Sequence, residues 1–221
     1  MWNKIFSKVN ELRRNHFNLS IPKINLLKKI TREIKYLLII FTLTFFVIQP
    51  FVIASYEVPT CSMEPTIMTN TKYIALPSAY GGFIRYTNIK LPGFKKLHRG
   101  DIVMFRFPKD KSIDYVKRAI GLPGDTVEIK EKTVYINGLP LHEPYTYFSN
   151  GKDYERAHYG PNTIPQGHIF VLGDNRDKSW DSRYWGFVPL ENVFGTPLFS
   201  FWSYDKKHKQ IRSREILKIL K

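Results

Sequence analysis

Gly100-Asp-Ile-Val-Met-Phe-Arg-Phe107, then Tyr115-Val-Lys-Arg-Ala-Ile120 and Gly121-Leu-Pro-Gly-Asp125, is the stretch that decides the fold. Ile102–Phe107 and Tyr115–Ile120 are short runs rich in β-branched and aromatic residues, bounded by Gly, Pro and Asp. That is the signature of strands. Thr126–Lys130 and Thr133–Ile136 flank Lys130-Glu131-Lys132 as a hairpin, and Asn137-Gly138 adds a strong turn signal. The same reading extends in both directions. Lys72–Leu76, Ile169–Leu172, Phe187-Val188 and Phe199–Trp202 are further expected strands. Residues 77–99 and 140–165 read as irregular. The first of these is rich in aromatic and basic side chains, which suits either a loop at a membrane interface or a buried hairpin. The expected class is therefore mainly β, with antiparallel sheets.

Upstream, Tyr36–Ala54 carries no charge over nineteen residues, enough at about 1.5 Å per residue to span a hydrocarbon core of roughly 30 Å. Residues 1–35 before it hold nine Lys/Arg and two Glu. The excess of positive charge places the N-terminus in the cytoplasm and residues 55–221 outside. A cleaved leader with its cut after Ala54 is the competing reading, but 35 residues is long for the region preceding a leader's apolar core, which favours a retained anchor. The expected organisation is a basic cytoplasmic segment 1–35, a transmembrane helix 36–54, a β domain 55–205 and a basic tail 206–221. The tail is expected to form a short basic helix.

The formal charge of the 221 residues is +15. Seven Lys/Arg against one Glu lie in residues 206–221, and the middle, 36–205, has eighteen basic against sixteen acidic residues. The excess is confined to the two ends. A nucleic-acid-binding domain carries its basic stripe on its own face, so this class is set aside. Cys61 is the only cysteine, which rules out an internal disulfide and a multi-cysteine metal site.

The chemistry-bearing stretches are few. There is no His-Glu-x-x-His, no G-x-S-x-G elbow and no glycine-rich phosphate loop. Val58-Pro-Thr60-Cys61-Ser62-Met63-Glu-Pro-Thr66 follows the apolar run, and its two prolines favour an extended segment that presents small hydroxyls. A serine hydroxyl needs a base. Lys117, on a strand face shared with Ile113, Tyr115 and Ala119, becomes one if burial lowers its pKa. An edge-strand lysine in water and a simple linker at 58–66 are the bland alternatives. Gly173-Asp-Asn-Arg-Asp-Lys-Ser179-Trp-Asp181-Ser-Arg183-Tyr-Trp-Gly186 is the densest polar run. It lacks calcium-loop spacing and contains two arginines, so an internally paired loop fits it better.

Together these blocks resemble the bacterial type I signal peptidases (leader peptidases), membrane-anchored serine endopeptidases with a Ser/Lys dyad. Four blocks stand in the family's order: Pro59–Thr66, Gly100–Phe105, Lys117–Val127 and Gly173–Gly186. The resemblance implies an open, barrel-like β fold and the removal of signal peptides from exported preproteins, with cleavage after small residues of the Ala-x-Ala type. It implies that Ser62 is the nucleophile and Lys117 the general base. The Ser62 N–H and the Thr60 hydroxyl would form the oxyanion hole. Ser179 would orient the Lys117 amine, Asp181 and Arg183 would support that loop, and Met63 would line the substrate pocket. It implies no metal and no organic cofactor. The location would be the bacterial cytoplasmic membrane near the secretion translocon, and the partners lipid and preproteins.

Departures from the family pattern are Thr60 for a frequent Ser, Cys61 for a frequent Gly, and Asn70-Thr71 for a frequent Gly-Asp. The segment from Val127 to Gly173 is short, so a second subdomain at about 128–172 should be reduced. A non-catalytic module that grips extended peptides, or a processing peptidase with one dedicated substrate, are the alternative functions.

Overall fold

The computed structural model describes residues 7, 8, 10, 11, 21–45, 53–83, 90–149 and 158–221. The chain divides into two units, Met1–Val47 and Ile48–Lys221.

The first unit contains helix α1, Ile21–Leu43. Its first fifteen positions include five basic residues and Glu33, so its uncharged part, Tyr36–Leu43, is only eight residues, or roughly 12 Å. Among the described residues no helix is long and apolar enough to cross a membrane. The expected span 36–54 is corrected at both ends. It begins inside a helix that starts fifteen residues earlier, and Ala54 is already the first residue of a strand. Its residues 46–52 lie outside the described residues.

The second unit is mainly β. Twelve strands are formed among the described residues: β1 Ala54–Val58, β2 Thr71–Leu76, β3 Ile102–Phe107, β4 Asp110–Gly121, β5 Thr126–Lys130, β6 Thr133–Ile136, β7 Leu139–Pro140, β8 Tyr159–Thr163, β9 His168–Leu172, β10 Val188–Pro189, β11 Val193–Asp205 and β12 Gln210–Ile211. An antiparallel sheet runs in the order β1-β2-β11-β3-β4-β9-β10, with β12 paired to β11. A second sheet runs β7-β6-β5-β8.

The central strands read as continuous apolar runs because both of their faces are covered. Ile102 and Met104 of β3 enter one core with Val58, Met63, Tyr73 and Phe194, while Val103 and Phe105 enter another with Ala119, Val171 and Val188. Phe170 and Leu172 of β9 face a third core made with the small sheet, through Val127, Ile129, Val134 and Ile136. That arrangement fixes β4 between β3 and β9, and β4 carries Lys117.

Two expectations change here. The irregular segment 140–165 contains β8, whose Tyr-Gly-Pro-Asn-Thr sequence carries no apolar alternation and is recruited by pairing with β5. The tail is not a basic helix. It forms β12 and a single 3-10 turn at Ser213–Glu215, then bridges Ile219 to Phe199 and buries Leu220 in the first core. In the segment 77–99, Phe83 bridges Lys90 and packs edge-on against Phe194 at 6.1 Å, which gives it a hairpin base. Residues 84–89 lie outside the described residues.

Candidate active site

Ser62 sits in a turn directly after β1, not on an extended segment. Glu64 N–H donates to the Cys61 carbonyl at 3.2 Å and Ile67 N–H to the Met63 carbonyl at 2.8 Å. The Glu64 carboxylate closes the turn by accepting from Thr69 N–H at 3.1 Å and Thr69 Oγ1 at 2.7 Å. Asn70 then takes a left-handed φ of 59° where the family often has Gly, and its N–H reaches the Val58 carbonyl at 2.8 Å. Asn tolerates that conformation because its short polar side chain offsets part of the steric cost. Cys61 has no such φ, so the position does not demand glycine.

The turn points Ser62 at β4. The Lys117 amine lies 2.7 Å from Ser62 Oγ and donates to its neighbour's carbonyl, Val116, at 3.0 Å. Both residues are 5% exposed. Desolvation in this buried place pulls the Lys117 amine from its ordinary 10.5 down to about 8, and the carboxylates of Asp181 and Asp174 offset part of the fall. A lysine with that pKa has a substantial neutral fraction near neutral pH, and a neutral amine accepts a proton. Thr60 Oγ1 stands 3.3 Å from Ser62 Oγ. Among the described residues the Ser62 N–H has no hydrogen-bond partner.

Both groups open onto a cleft of about 290 Å³ whose lining includes Tyr56, Thr60, Asp114, Tyr115 and Trp180. Met63 is not part of that lining. It is fully buried in the first core, because the turn that presents Ser62 to the cleft sends the next side chain inward.

The Gly173–Gly186 run packs against the turn. Asp181 caps the short helix α2, Ser182–Trp185, by accepting from Arg183 N–H at 3.3 Å, and forms a two-point pair with the Arg183 guanidinium at 2.8 and 2.8 Å. Its second oxygen also takes Gly173 N–H at 3.1 Å. Asp181 and Arg183 therefore meet as the sequence suggested, fully out of water. Ser179 is brought next to the site and buried, but its hydroxyl has no hydrogen-bond partner among the described residues, so the expected bond to the Lys117 amine is not made here. Gly173 explains the crowding. A Cβ there would lie 2.2 Å from Ser179 Oγ and 2.4 Å from the Ser62 carbonyl oxygen.

Three further residues hold the site without having been singled out for it in sequence. Asn175 N–H donates to the Ser62 carbonyl and its side-chain amide to the Cys61 carbonyl, each at 3.1 Å. Asp174 accepts Thr66 Oγ1 at 2.6 Å and the Arg118 guanidinium at two points. Arg176, buried under the loop, pairs with Glu143 from the segment between β7 and β8 of the small sheet. The density of polar residues at 173–186 marked the region. Which of them turn inward is set by contacts 33 to 114 positions away along the chain. Cys61 offers only its carbonyl to this network, and the carboxylates of Asp174 and Asp181 are paired with Arg118 and Arg183.

Residues 30–202 match the family described as signal peptidase, peptidase S26. Signal peptidase I of Pseudomonas aeruginosa is 35% identical over 190 residues, covering 71% of this chain and 66% of that protein. Signal peptidase I of Bacillus licheniformis is 36% identical over 169 residues, covering 73% and 83% respectively. A crystal structure of a signal peptidase I from Enterococcus faecalis is matched at 40% identity with a TM-score of 0.41, over 46% of this chain and 97% of that one. The chain belongs to the signal peptidase family, peptidase S26, a family of serine peptidases.

Proposed function

We propose that this protein is a membrane-bound endopeptidase that removes signal peptides from exported preproteins through a Ser62–Lys117 dyad. The observation that carries the reading is the 2.7 Å approach of a buried lysine amine to a buried serine hydroxyl at the edge of a cleft. The neutral Lys117 amine takes the Ser62 proton as Oγ attacks the substrate carbonyl. The protonated amine then gives its proton to the leaving amine. Lys117, neutral again, activates the water that hydrolyses the ester. The Thr60 hydroxyl and the Ser62 N–H stabilise the oxyanion, each such donor being worth about 3–4 kcal/mol in comparable sites. Asp181 and Arg183 hold the loop against which Lys117 is desolvated, and Ser179 orients the amine when substrate fills the cleft. Cleavage follows small residues, in the Ala-x-Ala pattern.

Support for an anchor comes from the end of α1. Leu37, Leu38, Ile39, Ile40 and Phe41 are all exposed, and the sequence stays uncharged from there to Ala54. An apolar surface of that kind is costly in water and stable in lipid. In this reading the basic residues 1–35 stay in the cytoplasm, residues 55–205 work outside the cytoplasmic membrane, and preproteins arrive there from the translocon. The segment 128–172 is the reduced second subdomain.

The test is cleavage of a preprotein bearing an Ala-x-Ala site by the full chain in detergent. Wild type is expected to release the mature protein, with Ser62→Ala and Lys117→Ala inactive. Equal activity in wild type and Ser62→Ala contradicts the reading, and retention of the peptide with no cut by wild type favours a binding module.

A further inference from the structure

The family match ends at residue 202, yet the chain beyond it returns to the site. After the Ser213–Glu215 turn the backbone runs beside β11. Leu217 N–H donates to the Ser200 carbonyl at 2.7 Å, Ser200 N–H to the Lys218 carbonyl at 3.0 Å, and Leu220 N–H to the Leu198 carbonyl at 2.9 Å. Leu217 holds a left-handed φ of 59° although its side chain is exposed, a conformation disfavoured for leucine and kept here by the bonds on either side.

Two contacts lead from this segment to the two halves of the dyad. The Lys218 amine donates to the Pro65 carbonyl at 3.0 Å, three residues after Ser62. Glu215 orients that amine through both carboxylate oxygens, at 2.9 and 3.2 Å. The Lys221 carbonyl accepts from the Arg118 guanidinium at 3.2 Å, one residue after Lys117. Between these contacts Leu220 is buried in the same apolar cluster as Met63 and Ile67, which flank Pro65 and Thr66. The segment thus grips the nucleophile turn and the base strand at once.

We infer that residues 213–221 are a brace that sets the spacing of Ser62 and Lys117, with Lys218 as a positioning residue acting through the Pro65 carbonyl. The inference rests on the dyad reading above. A small displacement of a nucleophile from its base lowers the rate of the chemical step far more than substrate affinity. The hydrogen bonds of the brace reach Pro65, Arg118 and β11, none of which lines the cleft, so its loss is expected in kcat and not in KM.

The experiment compares full-length Lys218→Met, Lys218→Arg and Lys207→Met in preprotein cleavage, with Ser62→Ala alongside and thermal midpoints recorded for each. Methionine keeps the apolar stem but loses the donor, arginine keeps a donor, and Lys207 is an exposed tail lysine whose side chain makes no contact with the site. Lys218→Met is expected to lower kcat about fivefold to tenfold with KM within about twofold, at a temperature where all variants are folded. Lys218→Arg is expected to recover most of the loss, and Lys207→Met to match wild type. Wild-type kcat in Lys218→Met overturns the brace, as does a rise in KM alone or a failure of arginine to rescue. Activity in Ser62→Ala overturns the dyad reading instead. A dead Ser62→Ala beside a normal Lys218→Met removes the brace and leaves the dyad standing.

Discussion

Arg118 and Asp174, 56 positions apart, meet as a buried two-point pair, Nε to Oδ1 at 2.8 Å and Nη2 to Oδ2 at 2.7 Å. Arg118 follows Lys117. Asp174 precedes Asn175, which holds the Ser62 and Cys61 carbonyls, and its Oδ2 also takes Thr66 Oγ1. One carboxylate therefore joins β4, the Ser62 turn and the polar loop. Removing either partner leaves an uncompensated buried charge. Arg118→Met is expected to cost about 3–5 kcal/mol in urea unfolding, and the double variant with Asp174→Leu to cost less than the sum of the singles. Additive losses contradict a direct pairing.

Gly173 of the polar loop lies against the backbone of Ser62. A methyl there meets the Ser62 carbonyl oxygen at 2.4 Å and the Ser179 side chain at 2.2 Å, and the carbonyl is held by Asn175 and has little room to give. Gly173→Ala is expected to lower kcat by about a hundredfold, as displacements near 1 Å do. Steady-state cleavage measures it, and a loss below threefold contradicts the packing.

Thr60 offers its hydroxyl 3.3 Å from Ser62 Oγ. Thr60→Val keeps the shape and removes the donor, so kcat is expected to fall about 10²-fold with KM nearly unchanged. Thr60→Ser is expected to stay within about threefold of wild type, since the donor remains and only the rotamer restriction is lost. Equal activity in Thr60→Val and wild type removes Thr60 from the oxyanion site.

Burial of Lys117 has a stability consequence with a definite sign. Its folded-state pKa, about 8, lies below the ordinary 10.5. Folding therefore carries the full cost of a buried ammonium, or of its deprotonation, below pH 8, and that cost fades as pH rises towards 10.5. Lys117→Met is expected to be more stable than wild type by a few kcal/mol near pH 7 and by much less near pH 10. Denaturant midpoints at the two pH values check it. A methionine variant that is less stable at pH 7 contradicts the desolvation.

Much of this was legible in sequence, and the parts that were not have physical reasons. Strands β3, β5, β6 and β9 were readable because their apolar runs are bounded by Gly, Pro and Asn-Gly punctuation. Strand β8 was not, because an exposed Gly-Pro segment becomes a strand only through its partner. The meeting of Ser62 with Lys117, and of Asp181 with Arg183, was implied by the resemblance to the signal peptidases. Met63 lies in the first core because the turn that presents Ser62 to the cleft sends the next side chain inward. Ser179 lies where it was expected, without the expected bond. The tail misled most: its basic and apolar residues suit a surface helix locally, while contacts with β11, Pro65 and Arg118 decide its path.

The central claim is that neutral Lys117 is the base for Ser62. It is tested most directly by single-turnover cleavage of a preprotein across about pH 6 to 10, in wild type and in Lys117→Met. The wild-type rate is expected to rise tenfold per pH unit at low pH and to level off above about 8, with Lys117→Met at least about 10³-fold slower throughout. A wild-type rate that is flat across this range, or a Lys117→Met variant that cleaves at wild-type rate, contradicts it.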